Sequence, residues 1–250
     1  MNELVLSAIG VGGSTLIGSL LGYFVKNVSH RTHDTIIGFC AGVMLSAATL
    51  GLLVPAFSFQ TEGIHNWIPI LGVIAGVVLL NVLDYITPHL HHLTGIDREV
   101  HRNNQQLNRV LLFTLAIALH KFPEGMAAGV GFSGGEAAIG DASRVAIAIS
   151  LQNVPESMVI ITPLLMVGVS PFRTFIIALC IGLLQVAGVF TGHALGNLSE
   201  HMLPFMLALS GGAMLYVVSD EMIPESHSHG YEKSATYALI TGFLLMILME

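Results

Sequence analysis

Apolar runs about as long as a bilayer is thick recur along nearly the whole of this 250-residue chain, and they decide what it can become. Only 10% of residues are charged and 53% are hydrophobic, against roughly 25% charged in an ordinary soluble domain. The runs are too long for strands and show no alternation, so the expected class is an all-α integral membrane protein. We read eight spans, at about 3–25, 35–57, 67–88, 108–133, 142–166, 172–195, 202–223 and 234–249. They fill residues 1–250 as a single membrane domain with no separate soluble domain. The first run starts almost at once, without a basic leader or a small-residue cleavage site, and is expected to be a span and not a signal peptide. Cys40 and Cys180 fall inside spans, where a disulfide framework is not expected.

Two of these apolar runs contain ionisable groups, which are costly at membrane depth and point to function. The first holds His120-Lys121-Phe122-Pro123-Glu124-Gly125 and the second Gln152-Asn153-Val154-Pro155-Glu156-Ser157. Residues three and four apart on a helix lie within about 60° of each other, so His120, Lys121 and Glu124 share one face. Gln152, Asn153 and Glu156 repeat that arrangement. Pro123 and Pro155 lack an N–H and leave the carbonyls of Leu119 and Leu151 without their intrahelical donor, which predicts two kinked helices. Such carbonyls need a partner or a wet cavity. An imidazole, two carboxylates and an amide oxygen at mid-depth suit a borderline divalent cation, zinc first, with iron, manganese or cadmium as alternatives. Two proline-bent packing helices whose polar groups merely satisfy one another are the bland reading, and they make costly use of two buried Pro-Glu repeats.

Basic residues set the expected orientation. With the N-terminus outside, Lys26, Arg31, Arg98, Arg102, Arg109, Arg173 and Lys233 fall on the cytoplasmic side and only Arg144 opposite, so both termini are expected outside a plasma membrane. The third span leads into a histidine-containing cytoplasmic loop, 89–107, with His89, His91, His92 and His101. Clustered histidines hold zinc weakly, although a plain solvated loop fits equally. The seventh span ends in Asp220-Glu221-Met222-Ile223-Pro224-Glu225-Ser226-His227-Ser228-His229. Capping acids explain part of that run; a cytoplasmic metal exit built on Asp220, Glu221, Glu225, His227 and His229 explains more. In the first span Ser14, Gly18 and Gly22 at four-residue spacing favour close helix packing. Met44, taken alone, reads as gap-filling core.

The pair HKFPEG and QNVPES on consecutive spans, with the DEMIPESHSH segment, resembles the signature of the ZIP (Zrt- and Irt-like) family of divalent metal transporters, in its bacterial GufA-like branch. The resemblance covers the whole chain. It implies eight helices in a 3+2+3 arrangement, metal moved into the cytosol, a homodimer, and an elevator-type motion of the first, fourth, fifth and sixth helices. It also implies a primary metal site of Met44, His120, Glu124, Gln152 and Glu156, with Met44 entering only on the matching motif. Two-metal members add an asparagine, an aspartate and a glutamate at positions that here are Lys121, Asn153 and Gln185. Each change makes a second site worse for a cation. We therefore expect one metal, with Lys121 as a built-in counter-ion between two like charges, unless its long stem snorkels to water.

Zinc is thus expected as a substrate, in a lipid bilayer, with no nucleic-acid partner and no enzymatic activity. An intramembrane metalloenzyme needs an open metal position and a general base, and the zincin pattern of two histidines four apart with an intervening glutamate does not occur. A membrane metal sensor or receptor that binds without translocating is the other alternative.

Overall fold

The computed structural model describes residues 2–24, 29–58, 67–93, 105–166, 168–199 and 201–249, and these are almost entirely helical. We number the long helical segments α1 (Asn2–Phe24), α2 (His30–Ser58), α3 (Trp67–Leu93), α4 (Gln105–Val130), α5 (Ile139–Met166), α6 (Pro171–Gly196), α7 (Met202–Ser226) and α8 (Glu232–Met249). By length and composition α1, α2, α6 and α7 are each able to cross a membrane, among the described residues. The all-α membrane class expected from the sequence holds.

Local chemistry sets the helix ends. Ser29 accepts from the Thr32 N–H at 3.1 Å and starts α2 earlier than hydropathy suggested, drawing His30, His33 and Asp34 into the helix. Ser170 caps α6 in the same way, with Pro171 in the first turn, where a missing N–H costs nothing. Gly135, Gly168 and Gly230 take positive φ in the connections. The expected loop 89–107 is partly helix: α3 continues through Pro88 to Leu93, and α4 begins at Gln105. Residues 94–104, with His101, lie outside the described residues.

Two helices widen where a proline removes a donor. Pro55 cannot donate to the Gly51 carbonyl, nor Pro224 to that of Asp220. Around these lie π-helical stretches, Ala47–Leu53 in α2 and Val218–Met222 in α7, with i→i−5 bonds from Val54 N–H to Thr49 and from Ile223 N–H to Val218. Pro123 and Pro155, by contrast, lie within unbroken α-helix.

Packing is organised in pairs: α1 with α5, α4 with α6, α2 with α8 and α3 with α7, with α1 also lying along α6. Apolar burial gives little preference for helix contact in lipid, so close approach of backbones has to supply it. Glycine makes that approach. A Cβ at Gly18 would overlap the Val154 carbonyl, one at Gly129 the Val189 carbonyl, one at Gly42 the Leu239 carbonyl, and one at Gly76 the Leu209 carbonyl. The small residues of α1 thus act as their spacing suggested. These backbone contacts make four pairs; Gly182 against the Gly12 carbonyl joins α1 to α6, so that α1, α4, α5 and α6 form one group, and Gly211 against Leu53 and the Ala48 carbonyl joins α2 to α7 in another. Where the groups meet, as at Gly51 against Val145, side chains touch instead.

The overlap at Gly42 involves backbone, which cannot move aside. Gly42→Val is therefore expected to cost about 1–3 kcal/mol, lowering the thermal midpoint measured by fluorescence in detergent. Gly13→Ala, which would meet nothing within 4 Å, should leave the midpoint unchanged.

Candidate metal centre

The helical faces foreseen from the two motifs point at each other. His120, Lys121 and Glu124 on α4, and Gln152 and Asn153 on α5, are buried, while Glu156 keeps 13% of its side chain exposed. Gln185 joins them from α6 and is likewise buried.

Lys121 is the hub. Its Nζ donates to Glu124 Oε2 and Glu156 Oε2, both at 2.7 Å, and to Asn153 Oδ1 at 2.9 Å. The side chain is fully buried, so it does not snorkel. One ammonium with three donors is matched by three acceptors, which satisfies a cation that would otherwise be untenable at this depth.

Around the hub runs a second layer of amides and hydroxyls. Gln185 Nε2 donates to Glu124 Oε2 at 3.0 Å, and Gln185 Oε1 accepts from Thr15 Oγ1 at 2.8 Å and from Asn153 Nδ2 at 3.1 Å. Asn153 Nδ2 also donates to the Val11 carbonyl at 3.1 Å. Side chains from α1, α4, α5 and α6 therefore share one network, within the same helix group that the glycines bind together. Thr15 and Val11 were missed from sequence, because a hydroxyl and a backbone carbonyl on an apolar span carry no distinctive spacing.

The other group closes the site from α2 and α7. His120 Nδ1 lies 3.2 Å from Glu221 Oε2. Cys40 Sγ donates to the Gln152 carbonyl at 3.7 Å, and Met44 follows one turn later on α2, fully buried. The Gln152 amide is fully buried, yet among the described residues neither its nitrogen nor its oxygen has a hydrogen-bond partner. Such an orphan carries a desolvation penalty of about 1–3 kcal/mol. A cation accepting its oxygen as a ligand would relieve part of that cost. The donor set of imidazole, carboxylate, amide and thioether fits a borderline divalent metal.

A second cluster lies at the α2 start and the α7–α8 turn. His33, Glu225 and His229 offer ligand atoms that all fall within 4.8 Å of one another. The His229 ring sits 2.8 Å from Asp34 Oδ1, stacks on His30 at 4.4 Å between centroids and meets His33 edge-on. Asp34 is buried and its Oδ2 has no hydrogen-bond partner among the described residues. Of the five residues foreseen in an exit, Glu225 and His229 are in this cluster. Glu221 faces His120 instead, Asp220 is exposed, and His227 is engaged by Ser226, the Ile223 carbonyl and Thr236. His33 and Asp34 were not placed in the exit from sequence, although the run His30-Arg31-Thr32-His33-Asp34 offered the same ligand types.

Comparison with known proteins identifies the family. The ZIP zinc transporter family model matches residues 94–250. The chain is 36% identical over 253 residues to a protein of Bordetella bronchiseptica named Zinc transporter ZIPB, covering 98% of this chain and 80% of the relative. It is also 36% identical to Zinc transporter GufA of Myxococcus xanthus, over 100% of this chain and 98% of the relative. A human protein named Zinc transporter ZIP11 is 27% identical over 99% and 96% of the two chains. These relatives are named as transporters and not enzymes, and the chain is a multi-pass membrane protein like them. With a family model over more than half its length and two relatives at 36% identity, this chain belongs to the ZIP family of zinc transporters.

Proposed function

We propose that this chain carries a divalent metal, zinc foremost and cadmium, iron and manganese as further substrates, through one intramembrane site held by Met44, His120, Glu124, Gln152 and Glu156. The observation that carries the reading is the ammonium of Lys121 between Glu124 and Glu156. It occupies the ground a second metal would need and leaves each carboxylate one oxygen for the first. Charge counting agrees. Glu124, Glu156 and Glu221 carry −3 and Lys121 +1, so one divalent ion brings the site to neutrality, while a second would leave it at +2. Asn153 and Gln185 hold the lysine and the carboxylate instead of ligating metal.

The packing supports a motion. The α1, α4, α5 and α6 group carries both glutamates and is bonded through its own network, whereas its links to the rest, among the described residues, include the His120–Glu221 and Cys40–Gln152 contacts and side-chain packing. An elevator-type displacement of that group would break these few links and carry the metal with it, from outside to the cytosol. The His33, Asp34, Glu225 and His229 cluster would receive the ion on the cytoplasmic side. Both termini face outward in this reading, the chain works as a single transport domain in the plasma membrane, and two copies form the dimer.

Uptake of radioactive zinc by proteoliposomes tests the proposal. Wild type should accumulate zinc well above empty vesicles. His120→Ala should raise KM about tenfold, the value of one lost charge-assisted ligand at roughly 1.4 kcal/mol, and should narrow the preference for zinc over manganese. Uptake no better than empty vesicles would mean a binding protein without transport and would end the proposal.

A further inference from the structure

The outward face of α3 carries a pattern that contact with lipid does not require. Trp67, Leu71, Ile74, Val78, Asn81 and Tyr85 follow one another at intervals of four, three, four, three and four residues. That is the seven-residue repeat of a left-handed coiled-coil seam. Its aliphatic and aromatic members are each more than half exposed, and Asn81 is exposed with them. Gly72 and Gly76 lie on the opposite side of the helix, against Phe205 and Leu209 of α7, so the seam faces away from α7. Lipid suits every member of this row except the amide. Asn81 lies 14 residues, about 21 Å, along the helix from Trp67, inside a hydrocarbon core about 30 Å thick. Trp67 and Tyr85, about 27 Å apart, mark the two interfaces. Among the described residues Asn81 donates to the Tyr216 hydroxyl at 3.3 Å, which employs one of its two N–H groups. The second N–H and the amide oxygen are left for a partner outside the chain. Hydroxyls on other spans are served locally, as Thr191 and Thr241 show by donating to the carbonyl four residues back.

We propose that a second copy of this chain packs along α3, seam against seam, with the two Asn81 amides bonded to each other across the twofold axis. The inference rests on the dimer reading above and adds the surface that makes it. Two copies that share one orientation in a membrane are related by an axis along its normal, so α3 runs parallel to its counterpart and each seam residue meets its own copy. An amide offers both a donor and an acceptor, which makes the Asn81 pair self-complementary. A single asparagine in an apolar heptad seam fixes register and the number of strands in coiled coils, and interhelical hydrogen bonds of this kind join helices in lipid. The place also suits transport. α3 belongs with α2, α7 and α8, so the interface leaves the group that carries Glu124 and Glu156 unclamped.

Cysteine cross-linking of the full-length protein in membranes locates the contact. In a Cys180→Ser background, Leu71→Cys and Val78→Cys should each join two copies on mild oxidation, whereas Ile9→Cys, exposed on α1, should not. Single-molecule subunit counting in liposomes, at falling protein-to-lipid ratio, then measures the association. Asn81→Leu should weaken the dimer about tenfold, and Asn81→Gln, which keeps an amide, should retain most of it. Val78→Trp sits where a lone chain meets lipid, so it should fold with an unchanged circular dichroism spectrum and still split the dimer. A wild-type dimer that links through Ile9→Cys, or that Asn81→Leu and Val78→Trp leave intact, would overturn the α3 seam while the dimer itself stands. A wild-type chain that stays monomeric at every ratio would end both.

Discussion

Zinc uptake is expected to fall to the level of empty vesicles when Glu124 and Glu156 are both replaced by glutamine. Among the described residues these carboxylates are the negative charges bonded to the Lys121 hub, and they come from two different helices of the same group. Glutamine keeps their size and an acceptor oxygen for Lys121 but removes the charge that attracts a divalent ion. The remaining imidazole, amide and thioether are neutral, and only Glu221, beside His120, then offsets the repulsion of the ion by the ammonium. At about 4 Å and an effective dielectric near 20, each lost carboxylate removes roughly 8 kcal/mol of attraction to a divalent ion. Even a quarter of that over two sites is on the order of a thousandfold in affinity. Either single variant should lose at least tenfold. Proteoliposome uptake, with circular dichroism to check folding, measures the effect. Transport within threefold of wild type in the double variant would remove the proposed site.

Much of this was legible in the chain because membrane burial raises the cost of every polar group. Spans followed from hydropathy, and the two Pro-Glu faces from helical spacing alone, since His120, Lys121, Glu124, Gln152, Asn153 and Glu156 stand out against apolar neighbours. What the spacing could not give was the partner of each side chain. Glu221 looked like part of an exit and instead meets His120, because the π-helical turn forced by Pro224 shifts the face on which it lies. His33 and Asp34 join Glu225 and His229 only because Ser29 caps α2 early and brings its first turn beside the α7–α8 connection. Thr15 and Cys40 were invisible for a different reason: small side chains on apolar helices are common, and only a three-dimensional neighbour distinguishes them. Pro123 and Pro155 lose a donor within helices α4 and α5 that run on through both, while the π-helical stretches lie beside Pro55 and Pro224, on the helices facing the site.

Lys121→Met is expected to weaken the metal-free protein and to raise its metal capacity at once, a combination that only a counter-ion role produces. Removing one partner of a buried ion pair leaves an uncompensated charge and costs about 3–5 kcal/mol. Here two carboxylates and the Asn153 oxygen are stranded together. For a chain of this length such a loss lowers the thermal midpoint by on the order of 10 °C. Methionine keeps the stem's volume, so a packing defect contributes little. Zinc should restore what the ammonium supplied: at a hundred times its Kd a bound ion adds about 2.7 kcal/mol, and the variant's midpoint should climb with zinc more steeply than that of wild type. The place the ammonium vacated is flanked by Glu124, Glu156 and the Asn153 and Gln185 amides, a fair nest for a second cation. Elemental analysis of purified protein should therefore find one zinc per wild-type chain and approach two in Lys121→Asn combined with Asn153→Asp and Gln185→Glu. Two tightly held zinc ions in the wild type, or a metal-free Lys121→Met protein as stable as its parent, would show that the lysine does not stand in for a metal.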